Sequence, residues 1–209
     1  MHTPEQAFFA VMAKAVLEAL EKRNIEGFYA DTKEEALRIA LDMIPQDAVV
    51  SNGGSETLEA LGFRQALTEK GCTYLDPNAV QGGERMAEVA RQALGADCYL
   101  MSANAIAATG EIVNADGIGN RVAALCFGPK QVMILAGMNK VVPTLEAAIE
   151  RVKTVAAPHS VLKYFPDRCT TLPALYAAAE AACNQVVITR GSTFTGRIKV
   201  ILIGEHLGY

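Results

Sequence analysis

The chain contains 209 residues, of which 51% are hydrophobic and 20% are charged, and its formal net charge is −4. This composition is typical of a folded globular protein and is too apolar for a disordered one. The negative net charge and the absence of basic clusters argue against nucleic-acid binding, because phosphate contacts require clustered Lys and Arg.

The sequence also indicates in which cellular compartment the protein functions. No run of roughly 18 uncharged apolar residues occurs, so we expect no membrane span and no membrane partner. The amino terminus lacks the basic stretch and apolar core of a secretory signal. Five cysteines without a Cys-x-x-Cys pair fit a reducing compartment better than a disulfide framework. These features predict a cytoplasmic protein without a metal site.

Helices and short apolar strands alternate in the first half of the chain. A helix is predicted over 4–23, where a proline follows the cap residue Thr3, and a second helix begins after Thr32 and ends at Pro45. Further elements follow in order: a strand over 48–51, a helix capped by Ser55 that stops near Gly62, a helix over 82–94, and a strand over 97–101.

The second half begins with a different pattern. Residues 102–125 are rich in Gly, Asn, Ala and Asp and lack a helical period, which predicts short strands and turns. The elements predicted after them are a strand over 131–136, a loop through Gly137 and Pro143, a helix over 144–155, an alanine-rich helix after Tyr176, and strands over 185–190 and 197–203. A turn joins the last two strands, which suggests an antiparallel pair.

Continuous Val, Ile and Leu strands between amphipathic helices indicate a parallel sheet covered on both faces. We therefore predict an α/β fold, a Rossmann-like three-layer α/β/α sandwich with a mostly parallel sheet and an antiparallel edge. Residues 1–209 are predicted to form one α/β domain, with a helical portion over 1–45 packed on it. The broad apolar face of the first helix leaves two partners open, the protein's own sheet and a second copy in a homodimer.

The first candidate site is the turn after the strand over 48–51. Gly53 and Gly54 let the backbone approach a ligand closely, and the free N–H groups at the start of the next helix attract anions. Ser55 and Thr57 add hydroxyl groups. One interpretation is a site for a phosphate or a carboxylate, and the other is an ordinary strand-to-helix turn that Ser55 caps.

The second candidate site is the polar stretch that follows Ser102. Glu111 or Asp116 has the chemistry of a general base, and Arg121 that of an anion clamp. The alternative is that Asn and Asp form turns with the glycines and that Arg121 pairs with a nearby carboxylate. The other ligand-binding candidates of this stretch are Asn104, Thr109, Gly110 and Asn120.

The third candidate is Lys140, which follows the strand over 131–136. In open α/β sheets ligands bind at the carboxyl ends of the strands, so this lysine is a candidate catalytic residue. A solvated lysine is the alternative. The three histidines are scattered, and no pair of them has metal-ligand spacing.

Several segments of the chain carry a family signature: Gly53-Gly54-Ser55 with Thr57 and Leu58, Ser102 to Ala105, Thr109 to Asn114, Asp116 to Arg121, Phe127 to Lys130, Asn139 to Pro143, and Val200 to Tyr209. In these segments, which span about 50–209, the chain resembles the LUD-domain family, whose members include lactate utilisation proteins. The resemblance implies a fold similar to that of ribose-5-phosphate isomerase, glucosamine-6-phosphate deaminase and the CoA transferases.

The resemblance also implies roles for individual residues. By this analogy Gly53, Gly54, Ser55 and Thr57 hold an anion. Glu111, Asp116 and Lys140 line the reactive region. Some family members act with iron–sulfur partner proteins in oxidising L-lactate to pyruvate, and the electron chemistry then sits mainly on those partners. The chain has no flavin or nicotinamide fingerprint, so its own cofactor is unknown.

One segment departs from the family pattern. Short members often carry a cysteine cluster that ends in Cys-Asn, and here Cys183 and Asn184 match that end while Cys169 matches the start. No cysteine lies between them, and two thiolates cannot supply the four ligands of a usual cluster. If the segment binds metal in relatives, this chain lacks the ligands.

Three functions remain open from the sequence. The first is a lactate or organic-acid utilisation protein that binds a small anionic metabolite and acts with iron–sulfur partners. The second is a stand-alone enzyme that moves a proton next to a carbonyl in a sugar phosphate or CoA ester. The third is a non-catalytic assembly subunit.

Overall fold

The computed structural model describes residues 3–209, except for the side chain of residue 168. Residues 1 and 2 of the predicted domain lie outside the described residues. The described strands are β1 (Glu26–Ala30), β2 (Val49–Asn52), β3 (Thr73–Leu75), β4 (Cys98–Met101), β5 (Ala105–Ala107), β6 (Ile112–Asp116), β7 (Gln131–Gly137), β8 (Val141–Val142), β9 (Gln185–Thr189) and β10 (Ile198–Ile203).

The described helices alternate with these strands for most of the chain. They are α1 (Pro4–Glu21), α2 (Lys33–Met43), α3 (Glu56–Ala60), α4 (Phe63–Glu69), α5 (Gly83–Ala93), α6 (Asn120–Cys126), α7 (Leu145–Arg151), α8 (Ala157–Tyr164) and α9 (Leu172–Ala182). None of the helices in this part of the chain is both long and apolar enough to cross a bilayer.

The main sheet has six strands in the order β1-β10-β7-β4-β2-β3, and every pairing in it is parallel. In β7, Val132, Ile134 and Ala136 face one helical layer, and Met133 and Leu135 face the other. All five are fully buried, as expected of a strand covered on both sides. The Rossmann-like three-layer sandwich predicted from the sequence is therefore confirmed.

The chain reverses its direction of travel across the sheet at β2. From β2 it passes through α3 and α4 to β3 on one side, and then through α5 to β4 on the other side. Buried Leu58 of α3 and Leu67 of α4 belong to one face of the core, and Ala93 of α5 belongs to the opposite face. The crevice between the carboxyl ends of β2 and β4 is thus the topological switch point, where open α/β sheets bind ligands.

A second sheet of four strands has the order β8-β5-β6-β9. β6 pairs antiparallel with both β5 and β9, and α7 packs against this sheet through Ala148. The expectation that the last two strands form an antiparallel edge of the main sheet is therefore wrong. β9 ends the second sheet, whereas β10 lies inside the main sheet between β1 and β7.

One predicted boundary and one predicted region are also corrected. The helix predicted to stop at 155 continues through a π-helical segment, Val152–Ala156, into α8. The wider turn precedes Pro158, which cannot donate a backbone hydrogen bond inside a helix. The predicted turns over 102–125 contain α6, which begins after Gly119 in a left-handed conformation.

The amino-terminal portion over 1–45 is helical only in part, because it also contains β1. This strand is short and includes Gly27, whose missing side chain leaves room for Leu17: a Cβ there would lie 2.5 Å from Leu17 Cδ2. The first helix packs on the protein's own sheet, since its residues Val16 and Leu20 are buried in the same cluster as Val200.

The packing of α1 predicts a difference between two valines of this helix. Val16 is fully buried and Val11 is 71% exposed. We expect Val16→Ala to lower the free energy of unfolding by about 2 kcal/mol, because it removes buried methyl groups and leaves a cavity. Val11→Ala should change it by less than about 0.5 kcal/mol. Urea unfolding measures both, and equal effects would contradict the packing of α1 on the sheet.

Candidate functional site

A cavity of about 550 Å³ opens at the carboxyl ends of β2 and β4, and its volume is typical of a small-molecule site. The loop after β2 contributes Gly54 and Ser55, and the end of β4 leads into Ser102. Helices α6 and α8 close the sides, and Tyr209 lies at the wall as well. The cavity therefore coincides with the switch point of the sheet.

Lys140 is the most deeply buried charged residue of the cavity wall. It ends a short 3-10 turn after β7, and only 2% of it is exposed. Its Nζ donates hydrogen bonds to Thr57 Oγ1 at 2.9 Å and to Ser102 Oγ at 3.0 Å. Within residues 3–209, no described carboxylate lies within ion-pair distance of this nitrogen.

The pKa of Lys140 is lowered to about 7, first by burial and in addition by the positive charges of Arg151 and Arg121. The negative charge of Glu56 has a smaller effect that raises this pKa. Near neutral pH the amine is thus divided between an ammonium ion and a neutral form that has a free lone pair.

Arg121 adds a second positive charge to the wall. Its guanidinium donates to Asn114 Oδ1 and Asn104 Oδ1, both at 3.2 Å, and to the carbonyl oxygens of Ser102 and Ala115. Because four donors are bound to uncharged oxygens, the guanidinium of Arg121 is held rigidly. Its predicted role as a clamp is limited, since few of its N–H groups are left for a ligand.

Asn104 connects Arg121 to a third cation. The carbonyl oxygen of Asn104 accepts a hydrogen bond from Arg151 Nη1 at 2.5 Å, and Asn139 O accepts one from Arg151 Nε at 3.2 Å. The nearest charged oxygen to Arg121 is Asp116 Oδ2, at 4.0 Å. Arg121 therefore faces one carboxylate, whereas Arg151, which is outside the residues that line the cavity, has none within ion-pair distance among residues 3–209.

Asp116 lies on the cavity wall, where its carboxylate caps α6. It accepts hydrogen bonds from the backbone N–H groups of Gly117 at 3.0 Å, Arg121 at 3.1 Å and Val122 at 3.2 Å. Asn120, another sequence candidate, also lines the cavity. The carboxylate of Asp116 thus holds the start of the helix that carries Arg121.

Glu111 lies elsewhere, outside the residues that line the cavity. It forms an ion pair with Arg23 at the end of α1 and accepts a hydrogen bond from Thr109. Burial works to raise the pKa of Glu111, but the hydrogen bonds from Thr109 and Arg23 lower it on balance. Gly110 packs on the same arginine. This cluster fastens α1 to the second sheet.

The three residues of the glycine turn after β2 have different roles in the structure, and Thr57 in the next helix has another. Ser55 caps α3 by accepting a hydrogen bond from Leu58 N at 3.4 Å, and Gly54 lines the cavity. Gly53 lies against Arg121, since a Cβ there would be 2.7 Å from Arg121 Cδ. Thr57 is buried beneath the cavity and binds Lys140.

The start of α3 carries two carboxylates, and both already pair with a lysine. Glu56 and Glu59 occupy its first turn and pair with Lys163 of α8, with Glu59 at 3.5 Å. An anion at this helix start would meet two carboxylates. The positive charge that lines the cavity comes instead from Lys140 and from Arg121, which faces Asp116 at 4.0 Å.

Residues 204–209 contribute a part of the site that sequence reasoning did not assign. Asn139 holds this segment, donating to Gly208 O at 3.0 Å and accepting from Leu207 N at 3.1 Å. Thr57 donates to Leu207 O at 3.1 Å, and Tyr209 stacks on His159 with ring centroids 5.4 Å apart. The sequence feature that could have pointed to this segment is Asn139, which lies next to Lys140 and holds the segment in place.

The cysteines that depart from the family pattern pack around α9. Cys183 lines the cavity, and both Cys169 and Cys183 contact the apolar cluster between α8 and α9. Among the described residues, no group of three or more His, Cys, Asp or Glu side chains is arranged to hold a metal ion.

The contact between Gly53 and Arg121 predicts a difference between neighbouring glycines. Gly53→Ala places a Cβ against the stem of an arginine that four hydrogen bonds hold in place, so we expect a loss of about 1–3 kcal/mol in unfolding free energy. Gly54→Ala has its nearest neighbour at 3.4 Å and should cost less than half as much. Equal costs in urea unfolding would contradict the confinement of Arg121.

The lowered pKa of Lys140 predicts how stability depends on pH. The ordinary value is 10.5 and the folded value is about 7, so the unfolded chain binds more protons between these limits and stability rises with pH there. Relative to Lys140→Met, wild-type protein should gain up to about 1.4 kcal/mol per pH unit from pH 7 to pH 9. Urea unfolding across this range measures the gain.

The matched variant for this experiment is Lys153→Met, which removes an exposed lysine. Its stability should follow that of the wild type at every pH. If Lys140→Met gave the same pH profile as Lys153→Met, the lowered pKa of Lys140 would be refuted.

Comparisons with known proteins agree with this architecture. The family model for the LUD domain matches residues 13–203. The chain is similar in structure to a DUF162 family protein from Deinococcus radiodurans, with a TM-score of 0.56 and 15% identity over 93% of this chain and 98% of that one. This likeness shows the fold alone.

A second solved structure, eIF2B delta from Chaetomium thermophilum, matches 56% of this chain and 50% of its own length at 19% identity. Its TM-score of 0.36 is too low to inform fold or function. No curated protein matches the chain. The family match starts inside α1, so most of the amino-terminal portion belongs to the matched region, and the chain belongs to the LUD-domain family.

Proposed function

We propose that this protein binds a small carboxylate- or phosphate-bearing metabolite in the cavity at the carboxyl ends of β2 and β4, as part of lactate or related organic-acid utilisation. The observation that carries the proposal is the buried Lys140, which lines the cavity without an ion-pair partner among the described residues. Membership of the LUD-domain family supports the metabolic role.

The balance of charge around the cavity favours an anion. The positive charge of Lys163 is balanced by the ion pair with Glu56. The charge of Arg121 is balanced in part by Asp116, which lies 4.0 Å away. Lys140 and Arg151 then have no carboxylate within ion-pair distance among residues 3–209. Buried charges are costly unless they are paired, so a bound anion would recover part of that cost.

The two carboxylates considered as general bases do not favour proton transfer as the function. Glu111 lies outside the cavity lining and pairs with Arg23. Asp116 accepts three backbone hydrogen bonds and acts as a helix cap. We therefore place organic-acid binding first, with electron transfer assigned to iron–sulfur partner proteins as the resemblance implies.

A thermal-shift titration tests the proposal. The panel contains L-lactate, pyruvate, a sugar phosphate, a CoA ester, and inorganic phosphate as a control. A ligand at about 100 times its dissociation constant should stabilise the protein by about 2.7 kcal/mol. We expect a selective shift from one class of anion, because the shape of the cavity and its cations act together.

Two variants connect the shift to the site. Lys140→Met should weaken binding at least about tenfold, which corresponds to about 1.4 kcal/mol. Lys153→Met, which removes an exposed lysine, should bind like the wild type. Absence of a shift with every anion, or an equal shift in Lys140→Met and wild type, would refute the anion site.

A further inference from the structure

We propose that the amine of Lys140 condenses with the carbonyl carbon of a small 2-oxo acid, so that the cavity holds its ligand as an imine. This inference rests on the proposed function, because it specifies the ligand class and the bond formed in the same cavity. It is carried by the position of the amine, by its hydrogen-bond partners, and by the charges next to it.

The position of Lys140 makes its amine accessible from the cavity and hardly from bulk solvent. The residue lines the cavity, but only 2% of its surface is exposed. A reacting amine in such a place competes with few water molecules, and a desolvated lysine is the usual form of an amine nucleophile.

A second lysine of the same cavity provides an internal comparison. Lys163 forms an ion pair with Glu56, and Glu59 lies 3.5 Å away. Burial works to lower the pKa of Lys163, but the hydrogen bond with Glu56 raises it well above the ordinary value. Lys163 therefore remains an ammonium ion without a lone pair, whereas burial lowers the pKa of Lys140 to about 7.

The two hydroxyl groups beside Lys140 differ in their freedom. Thr57 donates its proton to Leu207 O at 3.1 Å, so its oxygen accepts from the amine and orients it. The hydroxyl of Ser102 has only a long contact to Ala103 O, at 3.5 Å, besides its bond to Lys140. Ser102 can therefore rotate and pass a proton between the nitrogen and an oxygen atom of a ligand.

The neighbouring cations favour a 2-oxo acid over a simple ketone or aldehyde. The charges of Arg121 and Arg151 lower the pKa of Lys140, and the same charges attract a carboxylate. A 2-oxo acid carries its carboxylate on the carbon next to the carbonyl. Its negative group can thus lie on the side of Arg121, which lines the cavity, while the carbonyl carbon meets the amine.

The reaction balances without an oxidant or a metal. The nitrogen lone pair forms a bond to the carbonyl carbon, and the π electrons of C=O move to the oxygen. One proton passes from nitrogen to that oxygen through Ser102 and gives a carbinolamine. A further proton from solvent converts the hydroxyl into a leaving water, and the nitrogen lone pair forms C=N. One amine, one ketone and one proton yield a protonated imine and one water.

Trapping with borohydride tests the inference. The whole protein is incubated with pyruvate, reduced with borohydride, and analysed by intact mass and peptide mapping. We expect one reduced pyruvate adduct per chain, located on Lys140. Its yield should exceed that on Lys163 at least about tenfold, because each pKa unit changes the neutral fraction of an amine about tenfold. L-lactate, which has no carbonyl, should give no adduct.

Variants and binding data separate this inference from the proposed function. Lys140→Arg keeps a positive charge and should lose the adduct. If this variant does not fold, peptide mapping of the wild-type protein still shows whether the adduct is on Lys140. If pyruvate and L-lactate stabilise the protein but no adduct forms on Lys140, the imine is refuted and the anion site stands. If adducts are spread over exposed lysines, the imine is refuted as well. If no anion of the thermal-shift panel stabilises the protein and no adduct forms, both proposals fail.

Discussion

The burial of the Lys140 amine without a carboxylate partner is the constraint on which the rest of the site depends. Taking an ammonium ion out of water is expensive, and two hydroxyl groups replace only part of its hydration. The fold supplies these hydroxyls from separate segments, Thr57 on α3 and Ser102 after β4. They meet because β2 and β4 are neighbouring parallel strands and both segments follow the carboxyl ends of these strands, so the topology itself creates the site.

The guanidinium groups of the two arginines donate their hydrogen bonds to neutral oxygens, and Arg151 has no carboxylate within ion-pair distance among residues 3–209. A carboxylate partner would cancel the charge of Arg151, whereas the carbonyl groups of Asn104 and Asn139 fix its position and leave the charge in place. Asn104 joins the two arginines, since its side-chain oxygen accepts from Arg121 and its backbone oxygen accepts from Arg151. The sequence marked Asn104 as a ligand contact, and its bonds make it the residue that positions both cations.

The sequence predicted what depends on local pattern and missed what depends on distant pairing. The strands of the parallel sheet were visible as apolar runs, and Lys140 was noticed because it follows one of them. The partners of β9 and β10 could not be read, because β9 pairs with β6 and β10 lies between β1 and β7. Glu111 was grouped with the cavity for the same reason: its partner Arg23 lies at the far end of α1, outside any local motif.

The two functions considered for Lys140 make opposite demands on its proton. An anion that lies against the ammonium ion raises the pKa and stabilises the charged form, which suits binding but removes the lone pair. An anion that lies on the side of Arg121, farther from the amine, raises this pKa less, because the Coulomb energy falls with distance. The place taken by the ligand's carboxylate therefore determines the chemistry. Because Arg121 lines the cavity and its guanidinium donates to neutral oxygens, a carboxylate on its side of the cavity leaves the amine of Lys140 free to react.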